Sequence, residues 1–196
     1  MMNIKLFFVL ASLLVSVSMQ AQGAVNPEIQ TKVDAFIELS NQKKWDQAFD
    51  LMYPKLFLKV PKQELVDLMT SMDKDGLSLH RTNLKLRSSS VPFYEGDETF
   101  VRMEYTADLT MQITAGSIYD DTKPIQGMTE QFQRSYGETN VKYDPTAKKY
   151  DIRASISMMA IKSQDQWYLV EINDDQKELM EYLFSDNVMN ALVRLN

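Results

Sequence analysis

The chain has 196 residues, 44% hydrophobic and 24% charged, with a formal charge of −6. That length and apolar content supply a sizeable core and exclude a disordered chain. The absence of Cys excludes disulfides, thiol catalysis, thiolate metal sites and a lipidated Cys anchor, while the single imidazole, His80, excludes any site that needs two. With 27 acids against 21 bases, nucleic acid is not an expected partner, because phosphate binding relies on clustered Lys and Arg.

Residues 1–23 place Lys5 ahead of an apolar run from Leu6 to Val17, then small residues that offer a cut after Ala21 or Gly23. This is the pattern of a secretory leader, and the run is too short to span a bilayer comfortably. The expectation is a protein exported to the periplasm or medium, with no stable membrane anchor after cleavage. Export without Cys fits a bacterial-type compartment better than a disulfide-rich extracellular one. No repeat or linker divides residues 24–196, which read as one α+β domain.

Residues 27–74 read as helical. Asn26-Pro27-Glu28 combines an Asn cap, Pro at the first helical position and an acid in the first turn. Ile29, Val33, Phe36, Ile37 and Ser40 follow at helical spacing. Trp45, Phe49 and Met52 face together in a second short helix, which Pro54 ends. Pro61 opens a third, expected to bury Leu65, Leu68, Met69 and Met72, and Asp75-Gly76 turns the chain.

From residue 77 to 173 the period is two. Val101, Met103, Tyr105, Ala107, Leu109, Met111 and Ile113 alternate with polar residues, which predicts a long antiparallel strand with one wet face. Leu77 and Leu79 keep one register and Thr82, Leu84 and Leu86 the other, predicting a bulge near His80-Arg81. Glu95-Gly96-Asp97 leads into the long strand. Tyr150 to Ala160 forms another alternating face, paired through Asp144-Pro145-Thr146 to Val141 and Tyr143. Gly116–Gln126 reads as a loop, Met128–Tyr136 as a weaker strand and Trp167–Ile172 as the last strand. Residues 174–196 form a helical tail: Asp174 and Asp175 cap it, Leu179, Met180, Leu183 and Phe184 make its stripe, Ser185-Asp186 restarts it, and Val188, Leu192 and Leu195 continue it.

Two stretches carry a family resemblance. Lys44-Trp45-Asp46-Gln47-Ala48-Phe49-Asp50-Leu51 is similar to the second helix of the nuclear transport factor two-like, or cystatin-like, superfamily. Gln166-Trp167-Tyr168-Leu169-Val170-Glu171-Ile172 is similar to its terminal strand, and the order of elements over residues 27–173 matches too. The resemblance implies helices packed on a strongly curved, cone-like antiparallel sheet, with a cavity that hosts isomerases, dehydratases and binding or structural domains. The sequence departs from the pattern in showing no helix between the strands and in adding the C-terminal tail. That tail would lie across the cone mouth or bury a second sheet face.

Candidate chemistry is sparse. His80 lacks a recognisable orienting partner, and a half-exposed strand position explains it equally well. Family isomerases use a carboxylate tuned by desolvation inside the cone, with a Tyr or protonated acid as donor. By that resemblance Glu171, which shares a strand face with Trp167 and Leu169, would be a base and Tyr105 a donor; a strand-end carboxylate paired with Lys or Arg is the simpler alternative. Met103, Tyr105 and Trp167 are candidates to line a cavity for a hydrophobic ligand, although ordinary core filling accounts for the Met residues. Ser71–Gly76 mimics the front of a calcium loop, but Thr82 stands where the bidentate Glu belongs. Asp120-Asp121 reads as solvated loop charge, and no metal is expected. Nucleotide and hydrolase motifs are missing, so no cofactor is expected either.

Three functions remain in view. The first is a non-catalytic exported domain that binds a small apolar ligand or a protein partner on its concave sheet. The others are a small acid–base enzyme of the isomerase or dehydratase type, and a module that dimerises through the sheet.

Overall fold

A computed structural model describes residues 26–172 and 176–193. The leader and its cleavage site, together with Asp174, Asp175 and Leu195, lie outside the described residues. Asn26 accepts the Glu28 backbone N–H at 2.9 Å, and Pro27, with no N–H to satisfy, opens α1 (Pro27–Asn41). Its stripe buries Ile29, Val33, Ile37 and Ser40. The next helix, α2 (Trp45–Phe49), buries Trp45, Ala48 and Phe49, and Pro54 starts a short 3-10 turn (Pro54–Leu58). The third helix, α3 (Lys62–Lys74), forms where the spacing puts it, yet none of its residues is buried. Leu65, Met69 and Met72 are half-covered and Leu68 is exposed, because α3 packs as an outer layer on α2 and the next strand. At its end Gly76 adopts φ +93°, and a Cβ there would sit 2.7 Å from the Ser117 Cβ, so this turn requires glycine on two counts.

The sheet has six antiparallel strands: β1 (Leu77–Ser89), β2 (Phe93–Glu95), β3 (Glu98–Ile113), β4 (Val141–Asp144), β5 (Lys149–Ser163) and β6 (Gln166–Ile172). Its order is β1-β3-β5-β4, with β2 also on β3 and β6 also on β5. The bulge in β1 is real but displaced. His80 and Arg81 pair regularly with Thr110 and Leu109, and the register slips between Thr82 and Lys85, where Asn83 takes φ 53°. Asn tolerates that left-handed turn because its side chain can bond locally; here it donates to Asp108 at 2.7 Å.

The largest departure from expectation is α4 (Thr122–Tyr136), a helix between β3 and β4 where the sequence suggests a loop and a weak strand. Asp121 accepts the Thr122 N–H to start it and Gly137, at φ 89°, ends it. Ile125, Met128, Phe132 and Tyr136 recur at helical spacing and pack on the sheet. Long-range contacts fix the choice: the Tyr150 hydroxyl donates to the Ile125 carbonyl at 2.7 Å, and the Phe132 and Tyr150 rings meet edge to face at 5.0 Å.

Two cores result, one on each side of the sheet. The inner core holds the alternating faces of β3 and β5 against Ile29 and Val33 of α1. The outer face of β3 is dry at its start, where Phe100, Met159, Ile161 and Val170 pack on the tail. That tail comprises α5 (Lys177–Leu183), α6 (Asp186–Val188) and a final turn (Met189–Val193), with the Ser185 hydroxyl accepting the Val188 N–H at 3.2 Å. It therefore buries a second sheet face.

The pairing registers also show how strongly the sheet curls. Arg81 stands opposite Leu109, whereas Glu171 stands opposite Met158 and hence Met103. In a flat sheet, three strand steps and six residues of offset would separate them by about 14 Å and about 20 Å along the two directions. Yet the Arg81 Nη2 lies 3.2 Å from the Glu171 Oε2. Only a sheet bent around α1 brings these strands together.

Phe184, buried edge to face on Phe100 at 6.2 Å, should cost about 3–5 kcal/mol when truncated to Ala, read by urea denaturation; a cost of a few tenths would mean the tail is merely appended. Burial, helped by the charge of Asp34, pushes the Tyr105 phenol up to about 12, and burial also raises Tyr136 and Tyr150. The neutral phenol is the favoured form, so this stabilisation is complete below pH 10 and declines toward about pH 12. Chemical denaturation across that range should show the decline, and Tyr105→Phe should make it shallower without abolishing it, because the other raised tyrosines remain.

Candidate functional site

Strand alternation puts Leu77, Leu79 and Arg81 of β1 on the inner face, and Trp167, Leu169 and Glu171 of β6 on the same face. Arg81 is thus a cation in an apolar register. Its backbone is held by the last residue of α1: Asn41 donates its amide to the Arg81 carbonyl at 2.7 Å and accepts the Arg81 N–H at 2.8 Å. The amide occupies the place of a neighbouring strand on the outer edge of β1. With the backbone fixed, the guanidinium reaches Glu171 at 3.2 Å; the two side chains are 16% and 40% exposed. Its Nε is buried without a hydrogen-bond partner, a condition that costs about 1–3 kcal/mol for a donor removed from water.

Behind this pair lies a cavity of about 180 Å³. Phe36 of α1, Trp45 and Phe49 of α2, Met52 just beyond it and Leu79 supply its apolar wall. The indole of Trp45 is anchored by donating to Asp73 at 3.1 Å, and Asp73 is itself paired with Lys43 at 2.8 Å. Ser40 also lines the cavity, but its hydroxyl donates to the Phe36 carbonyl at 2.7 Å and is already satisfied. The polar chemistry therefore belongs to Arg81 and Glu171. Tyr136, at the end of α4, senses both: burial first and then the charge of Glu171 raise its phenol, while Arg81 opposes the rise.

Two larger depressions lie elsewhere on the described residues. One, of about 440 Å³, opens on the outer face beside the charged side chains of Asp108, Lys142, Asp151 and Arg153. The other, of about 420 Å³, is a groove between α1 and β1 with Asp34, Glu38 and His80 on its rim.

Of the residues singled out from sequence, Glu171 is at the site and Tyr105 is not. Tyr105 pairs in register with Ile156 and lies 1% exposed in the inner core, its hydroxyl 3.4 Å from the Gln30 Oε1 and 3.4 Å from the Met103 Sδ. It stands two strands from Glu171, so the two do not form a base–donor pair. Met103 and Trp167 also belong to the core rather than to the cavity wall, with the Trp167 indole donating to Glu28 at 3.0 Å. Met128, read as the start of a weak strand, is instead on α4. His80 is exposed on the edge strand. Asp120, read as loop charge, accepts the Gly116 N–H and pairs with Lys148; the backbone bond first and then the lysine hold its carboxyl below the usual range.

Arg81 and the apolar wall of Phe36, Trp45, Phe49, Met52 and Leu79 are the site residues that sequence reasoning missed. The available signal was the Leu77-Leu79-Arg81 alternation, hidden by placing the bulge two residues too early. Among the described residues no group of three or more His, Asp or Glu side chains converges as a metal site, and Ser71–Gly76 is a helix end followed by a turn.

No protein-family model matches the chain, and no curated protein is detectably similar to it. Among solved structures it is similar to the intermembrane space region of the chloroplast protein ARC6, at 8% identity and a TM-score of 0.41, over 74% of this chain and 95% of that one. A likeness that distant carries no argument about function.

Proposed function

We propose that this chain is a non-catalytic exported domain of the nuclear transport factor two-like, or cystatin-like, kind that binds a small apolar ligand. The observation that carries the reading is the cavity between α1, α2, β1 and β6, whose wall is aromatic and aliphatic and whose charged pair stands at one end. Binding sites of this class combine an apolar wall with a few placed polar groups that fix orientation. The leader pattern in residues 1–23 supports export, and no helix among the described residues is long and apolar enough to cross a membrane. The helix-then-sheet order and the curl around α1 support the family assignment. An acid–base enzyme is the weaker reading, because Glu171 meets a cation and its expected donor, Tyr105, lies in the core.

Titration with p-cresol, followed by backbone amide NMR, tests the proposal. Saturable shifts should cluster at Phe36, Asn41, Trp45, Met52 and Leu79, and Leu79→Trp, which fills the cavity, should weaken binding by about tenfold or more. Circular dichroism checks that this variant stays folded, since overpacking costs about 1–3 kcal/mol. Shifts that do not saturate, or that persist unchanged in Leu79→Trp, contradict the reading.

A further inference from the structure

We infer that the ligand of this cavity is a small zwitterion with an apolar side chain, the chemical form of a free hydrophobic amino acid. The inference rests on the cavity being the ligand site proposed above, and it names what that site recognises. Three observations carry it.

The first is charge. One cation and one anion converge at the same end of the cavity, and Arg81 and Glu171 are both on its lining. A monoanion bound to Arg81 would lie against the Glu171 carboxylate, and a monocation bound to Glu171 would lie against the guanidinium. A ligand carrying both charges matches both groups and adds no net charge to a partly buried place.

The second is unused hydrogen-bonding capacity. Arg81 presents five N–H donors, and its side chain makes one contact with Glu171, at 3.2 Å through Nη2. Its Nε is buried and unpartnered. A ligand carboxylate would accept from the outer guanidinium nitrogens, Nη1 and Nη2, neither of which is buried without a partner, and the ligand ammonium would donate to Glu171, which at 40% exposure has room to receive it. Charge-assisted bonds of this kind are the strong and orienting ones.

The third is size and surface. A volume of about 180 Å³ is close to the roughly 150 Å³ apolar cavity that accommodates benzene in an engineered protein. A branched aliphatic chain or a single ring fits against Phe36, Trp45, Phe49 and Met52.

Calorimetric titration of the full chain with leucine, isocaproate, isoamylamine and p-cresol separates the possibilities, because the second and third compounds each lack one of leucine's two charges. Leucine should bind about tenfold or more tightly than either. Glu171→Gln, a half-exposed and nearly isosteric change, should weaken leucine and isoamylamine but not isocaproate. Arg81→Lys, which keeps the charge but loses the planar fork of Nη donors, should weaken leucine and isocaproate. Isocaproate or p-cresol binding as tightly as leucine would overturn the zwitterion and leave the apolar site standing, and so would leucine binding that Glu171→Gln does not change. Failure of all four compounds to bind would overturn the site itself.

Discussion

A sheet that is apolar on one face must cover that face, and here the cover comes from bending. The inner positions of β3 and β5 form a continuous apolar strip more than a dozen residues long, and α1 offers a matching stripe of Ile29, Val33 and Ile37. A flat sheet would touch such a helix along a narrow line. By curling until β1 and β6 approach each other, the sheet surrounds α1 and buries more apolar surface per residue. The Arg81–Glu171 contact marks where the two sides meet. Being partly exposed, it contributes less to stability than the burial it accompanies. Its role is to place opposite charges beside the apolar space left where α1 ends and α2 turns away.

The same curvature explains why the outer face cannot be left entirely wet. Phe100, Met159 and Ile161 interrupt the polar alternation at one end of β3 and β5, and the C-terminal tail covers them with Met180, Leu183, Phe184 and Val188. The tail therefore leaves the inner cavity free, which its other plausible position, across the mouth, would not. Fold and site are linked through that choice: a tail committed to the outer face preserves an opening on the inner one.

Much of the architecture was legible because local signals agreed with tertiary demands. The Asn26-Pro27 start, the alternation of β3 and the hairpin at Asp144-Pro145-Thr146 each combine a backbone preference with a burial pattern. Where the two diverged, the reading failed. Met128, Phe132 and Tyr136 share the even-numbered register that a strand would put on one face, but with Ile125 they also fit a helix, and contacts with Tyr150, remote in sequence, decide between them. The apolar spacing of α3 suggested burial, whereas layer order leaves it outside. The site was legible only through Glu171. Arg81 depends on where β1 bulges, and the approach of β1 to β6 depends on sheet curvature, which no local pattern encodes.

The bend around α1 is the claim on which the cavity and its chemistry depend, and it can be observed in the unmodified protein. A nuclear Overhauser experiment on the Arg81 side chain reads it directly. The account predicts cross-peaks from the Arg81 Hδ and Hε protons to the Glu171 Hγ protons, together with contacts to Asn41. Cross-peaks confined to β3 neighbours such as Leu109, with none to β6, would show an open sheet and contradict it.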